Sequence, residues 1–114
     1  MIYLKKFENL EDNEFCVYVF LDPSKPGDYK YGEYSFDFEP IYVGKGKSTR
    51  PKNHLYKFKN GKTYFYNKLK KIVGSGVEPL WVIVKNKLTE TEAFSEEIRL
   101  ISIIRKKMGV HFII

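Results

Sequence analysis

Three short apolar runs along the chain predict the strands of a small sheet. They cover residues 15–21, 41–44 and 80–84 and are rich in β-branched and aromatic side chains, which is typical of buried strands. Between the first two runs, residues 22–39 contain two prolines and two glycines, so this segment is predicted to be a long, turn-rich loop. The alternation of aromatic and polar positions over 34–39 allows the second strand to begin earlier and the two strands to form a hairpin.

Helical spacing and capping residues predict three helices. The first begins near Thr49, a suitable N-cap, with Pro51 in its first turn. The second covers residues 63–73, where apolar positions recur along one helical face. The last begins at Thr89, which opens a Thr-x-x-Glu capping box, and runs to about Lys107. The order strand–strand–helix–helix–strand–helix predicts an α+β domain with a small, largely antiparallel sheet covered by helices.

Composition limits the class of protein. A length of 114 residues indicates a single domain over 1–114, with its core over about 15–107. The hydrophobic fraction of 43% excludes a disordered chain. A single cysteine, Cys16, excludes a disulfide framework and a cysteine-rich zinc site and predicts a reducing, cytoplasmic location. Because no apolar stretch approaches the roughly 18 residues of a membrane span, no membrane partner is expected.

The positive charge of the chain is concentrated in one segment. The net charge is +6, yet residues 41–75 contain nine lysines and one arginine without a single carboxylate. Such a segment creates a local positive field that attracts polyanions. A solvated basic surface is the alternative, but so sharp an asymmetry favours nucleic acid as the partner. The candidate nucleic-acid-binding residues are Lys45, Lys47, Lys52, Lys57, Lys59 and Lys62.

Glu97 is a carboxylate on the apolar face of the last predicted helix. The helical repeat places Glu96 on the polar side of this helix and Glu97 near the centre of its apolar arc. An ionised carboxylate in that environment requires a cationic partner or a metal. A structural salt bridge and a metal-binding or catalytic role are therefore equally open for Glu97. The apolar arc contains Ala93, Phe94, Ile98, Leu100, Ile101, Ile104 and Met108.

Two further pairs of residues are candidates for chemistry. Arg50 and His54 are four residues apart and share one face of the first predicted helix, where a guanidinium can hold a phosphate and an imidazole can accept a proton. A solvated helix face accounts for the same spacing. Tyr18 and Tyr42 lie within two predicted strands, so each is either a core tyrosine or a phenol that faces a cleft and serves as a general base.

The order and spacing of these residues resemble the GIY-YIG nuclease family. The first motif of that family, Gly-Ile-Tyr, corresponds to Cys16-Val17-Tyr18, and the second, Tyr-Ile-Gly, corresponds to Tyr42-Val43-Gly44. Lys45-Gly46-Lys47 continues the second motif in its Tyr-Val-Gly-Lys-Gly-Lys form. Arg50 and His54 match the arginine and the histidine that follow it.

The last helix supplies the final match, and two positions depart from the family pattern. Glu97 matches the metal-binding glutamate, because it stands four residues after Ala93 and is followed by apolar residues at the third and fourth positions. Cys16 replaces the first glycine, and no asparagine follows the last helix. The resemblance covers roughly residues 15–105.

The resemblance implies a three-stranded antiparallel sheet flanked by helices and a divalent-metal-dependent endonuclease that hydrolyses DNA phosphodiester bonds. It implies one Mg²⁺ or Mn²⁺ ion bound by Glu97, with Arg50 stabilising the charge of the transition state. Tyr18 is the first candidate for the general base, with Tyr42 and His54 assisting or substituting for it.

Two other functions are open on the sequence alone. The missing asparagine is compatible with a nuclease-derived module that binds nucleic acid without turnover. The apolar C-terminal tail, residues 109–114, is compatible with a protein-interaction domain that docks on a partner or forms a homodimer. Nicking of plasmid DNA, metal-independent DNA binding and concentration-dependent size in solution distinguish the three.

Overall fold

Three strands and three helices make up the part of the chain that the computed structural model describes, residues 13–108. The strands are β1 (Phe15–Tyr31), β2 (Tyr34–Lys47) and β3 (Leu80–Leu88). The helices are α1 (Arg50–Lys57), α2 (Tyr64–Gly74) and α3 (Glu90–Met108), and a 3₁₀ turn (Phe58–Asn60) follows α1. The predicted α+β class and the predicted order of the elements are confirmed.

The sheet is three-stranded and antiparallel, as predicted, with β1 in its centre. The strand order is β2-β1-β3. Tyr18 of β1 is paired with Gly44 of β2 on one side and with Ile83 of β3 on the other. Tyr18 therefore lies on a strand that is hydrogen-bonded on both sides.

Residues 22–39 form a hairpin arm. The early start of the second strand and the hairpin are confirmed, whereas the prediction of a long loop is wrong. β1 continues to Tyr31 and β2 begins at Tyr34, and the chain turns at Gly32, whose φ of 60° favours glycine. Register shifts on either side of Pro26 are irregularities that accommodate a proline within a paired strand. The local composition is that of a turn, but pairing between the two strands along the arm determines the structure.

The hairpin arm packs along α3. Tyr31 and Phe36 of the arm are buried in the same apolar cluster as Leu100 and Ile104 of α3. Burial of aromatic side chains at this distance from the sheet centre stabilises the arm, because each removes a large apolar surface from water.

Glu96 joins the arm to α3, and the prediction that this residue points to solvent is wrong. Its carboxylate accepts a hydrogen bond from the Tyr34 hydroxyl at 2.5 Å and pairs with Arg99 at 2.7 Å and Lys85 at 3.7 Å. The Arg99 guanidinium also contacts Glu33 near the tip of the arm. The helical repeat turns Glu96 away from the apolar arc, but the arm reaches this side of the helix and leaves the side chain only 12% exposed.

Side chains alternate along β1 and divide the core into two layers. The odd-numbered positions from Val17 to Leu21 belong to a cluster that contains residues of α3. The even-numbered positions from Cys16 to Phe20 belong to a cluster that contains residues of α2. The sheet is therefore covered on both faces, and Tyr18 lies on the face that α2 covers.

Two apolar segments are more exposed than the sequence predicts. The third strand is predicted to be buried, but Val82 and Ile83 are exposed because α3 packs mainly on β1 and β2 and covers β3 much less. On α3, Phe94 and Ile98 are exposed. The helix therefore packs on the sheet along a narrower arc than its apolar residues suggest.

The helix starts differ in how they are capped. The predicted capping box of α3 is confirmed, since the Thr89 N–H donates to the Glu92 carboxylate at 2.9 Å and the Glu92 N–H donates to Thr89 Oγ1 at 3.1 Å. Thr49 is the N-cap residue of α1, but its hydroxyl makes no capping hydrogen bond to the described backbone. Thr63 caps α2, because its hydroxyl accepts from the Tyr66 N–H at 3.2 Å.

No helix within residues 13–108 is long and apolar enough to cross a membrane. The apolar tail for which docking is predicted, residues 109–114, lies outside the described residues.

Candidate active site

β1 and β2 place Tyr18 and Tyr42 side by side on one face of the sheet. Their ring centroids lie 6.4 Å apart. The Tyr18 ring lies over Gly44, where an added Cβ would come within 2.5 Å of the Tyr18 hydroxyl oxygen. Tyr42 stacks on Phe65 of α2 with 4.1 Å between the centroids. The glycine of the Tyr42-Val43-Gly44 motif is therefore required for the close approach of the Tyr18 ring to β2.

His54 lies on α1 within hydrogen-bonding distance of two phenols. Its Nε2 is 2.8 Å from the Tyr18 hydroxyl, and its Nδ1 is 2.8 Å from the Tyr66 hydroxyl. The side chain is 6% exposed, and the rings of Phe20 and Phe65 lie 5.8 and 5.3 Å from it between centroids. The imidazole is therefore enclosed by aromatic rings with both of its nitrogens engaged.

We expect His54 to make the protein less stable on mild acidification. Burial lowers the pKa of His54 to about 4, and the charges of Arg50 and Lys57 add to this effect. A histidine in the unfolded chain takes up its proton near pH 6.5. Between pH 6.5 and about 4 the unfolded state binds more protons than the folded state. The free energy of unfolding therefore decreases as the pH is lowered, by at most about 1.4 kcal/mol per pH unit.

Urea denaturation of the wild type and of His54→Gln across this pH window measures the effect. The difference between the two proteins isolates His54 from the carboxylates that titrate nearby. The phenols that face His54 from the sheet, Tyr18 and Tyr42, do not titrate there because burial raises their pKa values. If the free energy of unfolding depends equally on pH in the wild type and in His54→Gln, the expectation is contradicted.

The two phenols share their electrostatic surroundings. Burial raises the pKa of Tyr18, and Tyr42 and Glu97 add to the rise while Arg50 opposes it. Burial likewise raises the pKa of Tyr42, with Glu97 again adding and Arg50 opposing. Both phenols are therefore protonated at neutral pH. The structure thus places Tyr18, Tyr42 and His54 in contact with one another, and the charges of Arg50 and Glu97 act on both phenols.

Arg50 is the first residue of α1, and its side chain is exposed. The stem of the side chain lies against Gly46, where an added Cβ would come within 2.9 Å of the Arg50 Cγ. Gly46 thus leaves room for the arginine beside the sheet. The segment Lys45-Gly46-Lys47 is part of β2, which therefore extends three residues beyond the strand predicted over residues 41–44.

Glu97 is half-buried on α3, close to the end of β2. Burial raises the pKa of its carboxyl, whereas the charge of Lys45, a hydrogen bond from the Lys45 backbone and the charge of Arg50 lower it. No lysine or arginine within residues 13–108 forms an ion pair with Glu97. Of the two roles open to this carboxylate, the structural salt bridge is therefore not found among the described side chains.

The donor set around Glu97 suits a hard cation that keeps most of its own ligands. Within residues 13–108 no three histidine, cysteine, aspartate or glutamate side chains lie close enough to enclose a metal. A closed zinc site, which takes four protein ligands, does not fit this arrangement. A single carboxylate fits Mg²⁺ or Mn²⁺, because such ions retain several waters and bind phosphate oxygens.

The six lysines predicted to bind nucleic acid fall into two groups. Lys45 lies 3.5 Å from Glu90, and Lys47 lies 3.6 Å from Glu14, so both already pair with carboxylates. The other four are exposed on α1, the 3₁₀ turn and the following loop, and within residues 13–108 none of them forms an ion pair. This basic face consists of Lys52, Lys57, Lys59 and Lys62.

Tyr66 is a site residue that the sequence does not reveal. Its hydroxyl contacts His54, twelve residues earlier, because α1 and α2 both pack against the 3₁₀ turn between them. No local sequence pattern in either helix predicts this contact. An aromatic residue among lysines is ordinarily part of the core. The only sequence signal is the spacing of Gly61 and Thr63 before it, which sets the start of α2.

The sheet, the two motif tyrosines, the arginine and histidine of α1 and the glutamate of α3 together define a nuclease-type domain. Residues 15–109 match the family model of the LEM-3-like GIY-YIG domain. Since this range spans most of the chain and includes all five site residues, the chain belongs to the GIY-YIG nuclease family. No curated protein and no solved structure matches the chain.

Proposed function

We propose that this chain is a divalent-metal-dependent endonuclease that hydrolyses DNA phosphodiester bonds. The observation that carries the proposal is the hydrogen bond between Tyr18 and a neutral His54, next to the charges of Arg50 and Glu97. These groups supply a proton acceptor, a cation for the phosphate and a carboxylate for a metal, which are the requirements of phosphodiester hydrolysis.

Tyr18 and His54 activate the attacking water as a pair. Because its pKa is raised, Tyr18 is not a phenolate at neutral pH. Its oxygen can therefore accept a proton only if the hydroxyl proton leaves at the same time. When the substrate and the attacking water are bound, the Tyr18 oxygen takes a proton from that water while its own proton moves to Nε2 of His54. The water oxygen bonds to phosphorus, and the bond from phosphorus to the leaving oxygen breaks. The leaving oxygen departs with the bonding electron pair and takes up a proton from solvent. No described residue accepts the hydroxyl proton of Tyr42, which favours Tyr18 over Tyr42 as the base.

Arg50 contacts the phosphate that is attacked. Its guanidinium is exposed at the start of α1 and acts electrostatically on both phenols and on Glu97. A planar guanidinium can bind two phosphate oxygens at once. In this position it stabilises the negative charge that grows on those oxygens in the transition state.

Glu97 would hold the divalent cation, together with waters and an oxygen of the substrate phosphate. When bound, the cation supplies charge neutralisation at the phosphate and at the leaving oxygen. Lys45 and Arg50 counteract the effect of burial and favour the ionised form that a metal requires.

Nicking of supercoiled plasmid by the purified chain tests the proposal. We expect relaxed circles in the presence of Mg²⁺ or Mn²⁺ and none in the presence of EDTA. Cleavage that persists in EDTA would contradict metal dependence. DNA binding without cleavage under every metal condition would identify a nucleic-acid-binding module in place of the enzyme.

The basic face is expected to govern DNA affinity through its charge alone. We expect Lys59→Gln/Lys62→Gln to bind every DNA sequence more weakly and to reduce the slope of log affinity against log salt by about two, one for each lost phosphate contact. Lys57 is left unchanged because its charge also lowers the pKa of His54. Fluorescence anisotropy at several salt concentrations measures the slope.

A charge-matched control separates this effect from net charge. Lys25→Gln/Lys30→Gln removes the same charge from the hairpin arm, where both lysines pair with carboxylates at 3.6 and 3.7 Å. Its salt slope should equal that of the wild type. If both double variants show the same slope, the basic face is ordinary solvated surface.

A further inference from the structure

His54 is held between two hydroxyl groups, and its hydrogen bonds fix which nitrogen carries the proton. Its Nε2 and Nδ1 lie 2.8 Å from the hydroxyls of Tyr18 and Tyr66, respectively. A neutral imidazole has one N–H donor and one acceptor nitrogen. One tyrosine must therefore donate to the ring while the other accepts from it.

The different burial of the two tyrosines selects one of the two arrangements. If Nε2 carried the proton, it would donate to Tyr18, and the Tyr18 hydroxyl would need another acceptor for its own proton. Tyr18 is 1% exposed, and its hydroxyl has no second hydrogen-bond partner among the described residues. A buried donor without an acceptor loses its hydrogen bond to water and gains none in return, so this arrangement is disfavoured.

The opposite arrangement satisfies every group. Tyr18 then donates to Nε2, and Nδ1–H donates to the oxygen of Tyr66. Tyr66 is only half-buried, so its own hydroxyl proton can be donated to water. This arrangement leaves Nε2 as the acceptor on the side of Tyr18.

The start of α2 is built so that the Tyr66 hydroxyl reaches His54. A Cβ at Gly61 would overlap the Tyr66 ring, so only glycine allows the ring to lie where it does. The Tyr66 N–H donates to the hydroxyl of the N-cap residue Thr63 at 3.2 Å. The carbonyl of Gly61 accepts a hydrogen bond from Lys70 at 2.9 Å, which ties the preceding loop to α2.

We propose that Tyr66 is a positioning residue that holds His54 as the Nδ1–H tautomer, so that Nε2 accepts the hydroxyl proton of Tyr18. The proposal rests on the proposed nuclease function for its catalytic consequence. When the proton arrives at Nε2, the ring becomes an imidazolium whose Nδ1–H is hydrogen-bonded to Tyr66. That hydrogen bond stabilises the cation in a buried position.

The tautomer of His54 can be measured in the free protein by ¹⁵N NMR of the imidazole, without any assay of activity. We expect the wild type to carry the proton on Nδ1, and Tyr66→Phe to shift the population toward the proton on Nε2. Tyr64→Phe, which alters an exposed tyrosine on the same helix, is the matched control and should leave the spectrum unchanged. A wild type with its proton on Nε2, or a spectrum unaffected by Tyr66→Phe, would overturn the proposal.

Single-turnover nicking tests the catalytic consequence. Tyr66→Phe should cleave about tenfold more slowly at saturating DNA, with unchanged DNA affinity. Gly61→Ala keeps the hydroxyl but displaces the ring, and it should show a similar loss, whereas Tyr64→Phe should cleave at the wild-type rate. If the wild type cleaves and Tyr66→Phe cleaves equally fast, the positioning role fails and the nuclease function stands. If the wild type binds DNA and never cleaves it, the nuclease function fails, and the positioning role loses its catalytic part with it.

Discussion

Glu97→Gln is expected to abolish metal-dependent nicking and to lower its rate at least about a thousandfold. A bound divalent cation contributes several kcal/mol of transition-state stabilisation, and about 4 kcal/mol corresponds to that factor. Glutamine keeps the shape of the side chain but removes the charge that a metal requires. Because burial raises the pKa of this carboxyl, the folded protein gains nothing from ionising it, and Glu97→Gln should melt at the wild-type temperature or higher.

The neighbouring glutamate provides a control with the opposite behaviour. Glu96→Gln should nick DNA at the wild-type rate but unfold more easily, by about 1–2 kcal/mol, because it weakens the contacts with Tyr34, Arg99 and Lys85. Calorimetric titration with Mn²⁺ gives a readout besides cleavage, since only Glu97→Gln should weaken metal binding. Wild-type nicking by Glu97→Gln would remove this residue from the site.

Arg50→Ala is expected to separate cleavage from binding. Removing one hydrogen-bond donor that contacts the charge of a transition state costs about 10²–10³-fold in rate in enzymes where this has been measured, and Arg50→Ala should lose at least as much. DNA affinity should fall only a few-fold, because the basic face remains intact. Arg50→Lys should recover part of the rate at most, because an ammonium cannot bind two phosphate oxygens in one plane.

A lysine on the same helix is the matched control for Arg50. Lys52→Ala removes an exposed positive charge two residues further along α1 and should weaken binding without altering the rate at saturating DNA. Anisotropy and single-turnover nicking with the same DNA measure the two quantities side by side. If Arg50→Ala and Lys52→Ala have the same profile, the arginine serves only as another phosphate contact.

The elements of this fold that depend on local signals could be predicted from the sequence. The capping box at Thr89 and Glu92 fixes the start of α3, and the apolar spacing of residues 63–73 fixes α2. The position of Glu97 on α3 also follows from the helical repeat. These features depend on residues a few positions apart, whose interactions are set by the helix itself.

Features that depend on distant contacts could not be predicted in this way. The hairpin arm contains prolines and glycines typical of a loop, and its strands are stabilised by pairing and by packing against α3. Glu96 lies on the polar side of its helix, yet the arm buries it. Tyr66 reaches His54 only because α1 and α2 both pack against the 3₁₀ turn between them. In each case the deciding partner is far away in the chain.

The central place of β1 gives the two halves of the site different local stabilities. Opening the strand around Tyr18 breaks ladders to both β2 and β3, so exchange of its amide protons requires nearly global unfolding. Arg50 is the first residue of a helix of eight residues, whose end frays at a much lower free energy. The phenol is thus held more rigidly than the guanidinium, so in the proposed nuclease Arg50 can adjust to the phosphate without disturbing the sheet.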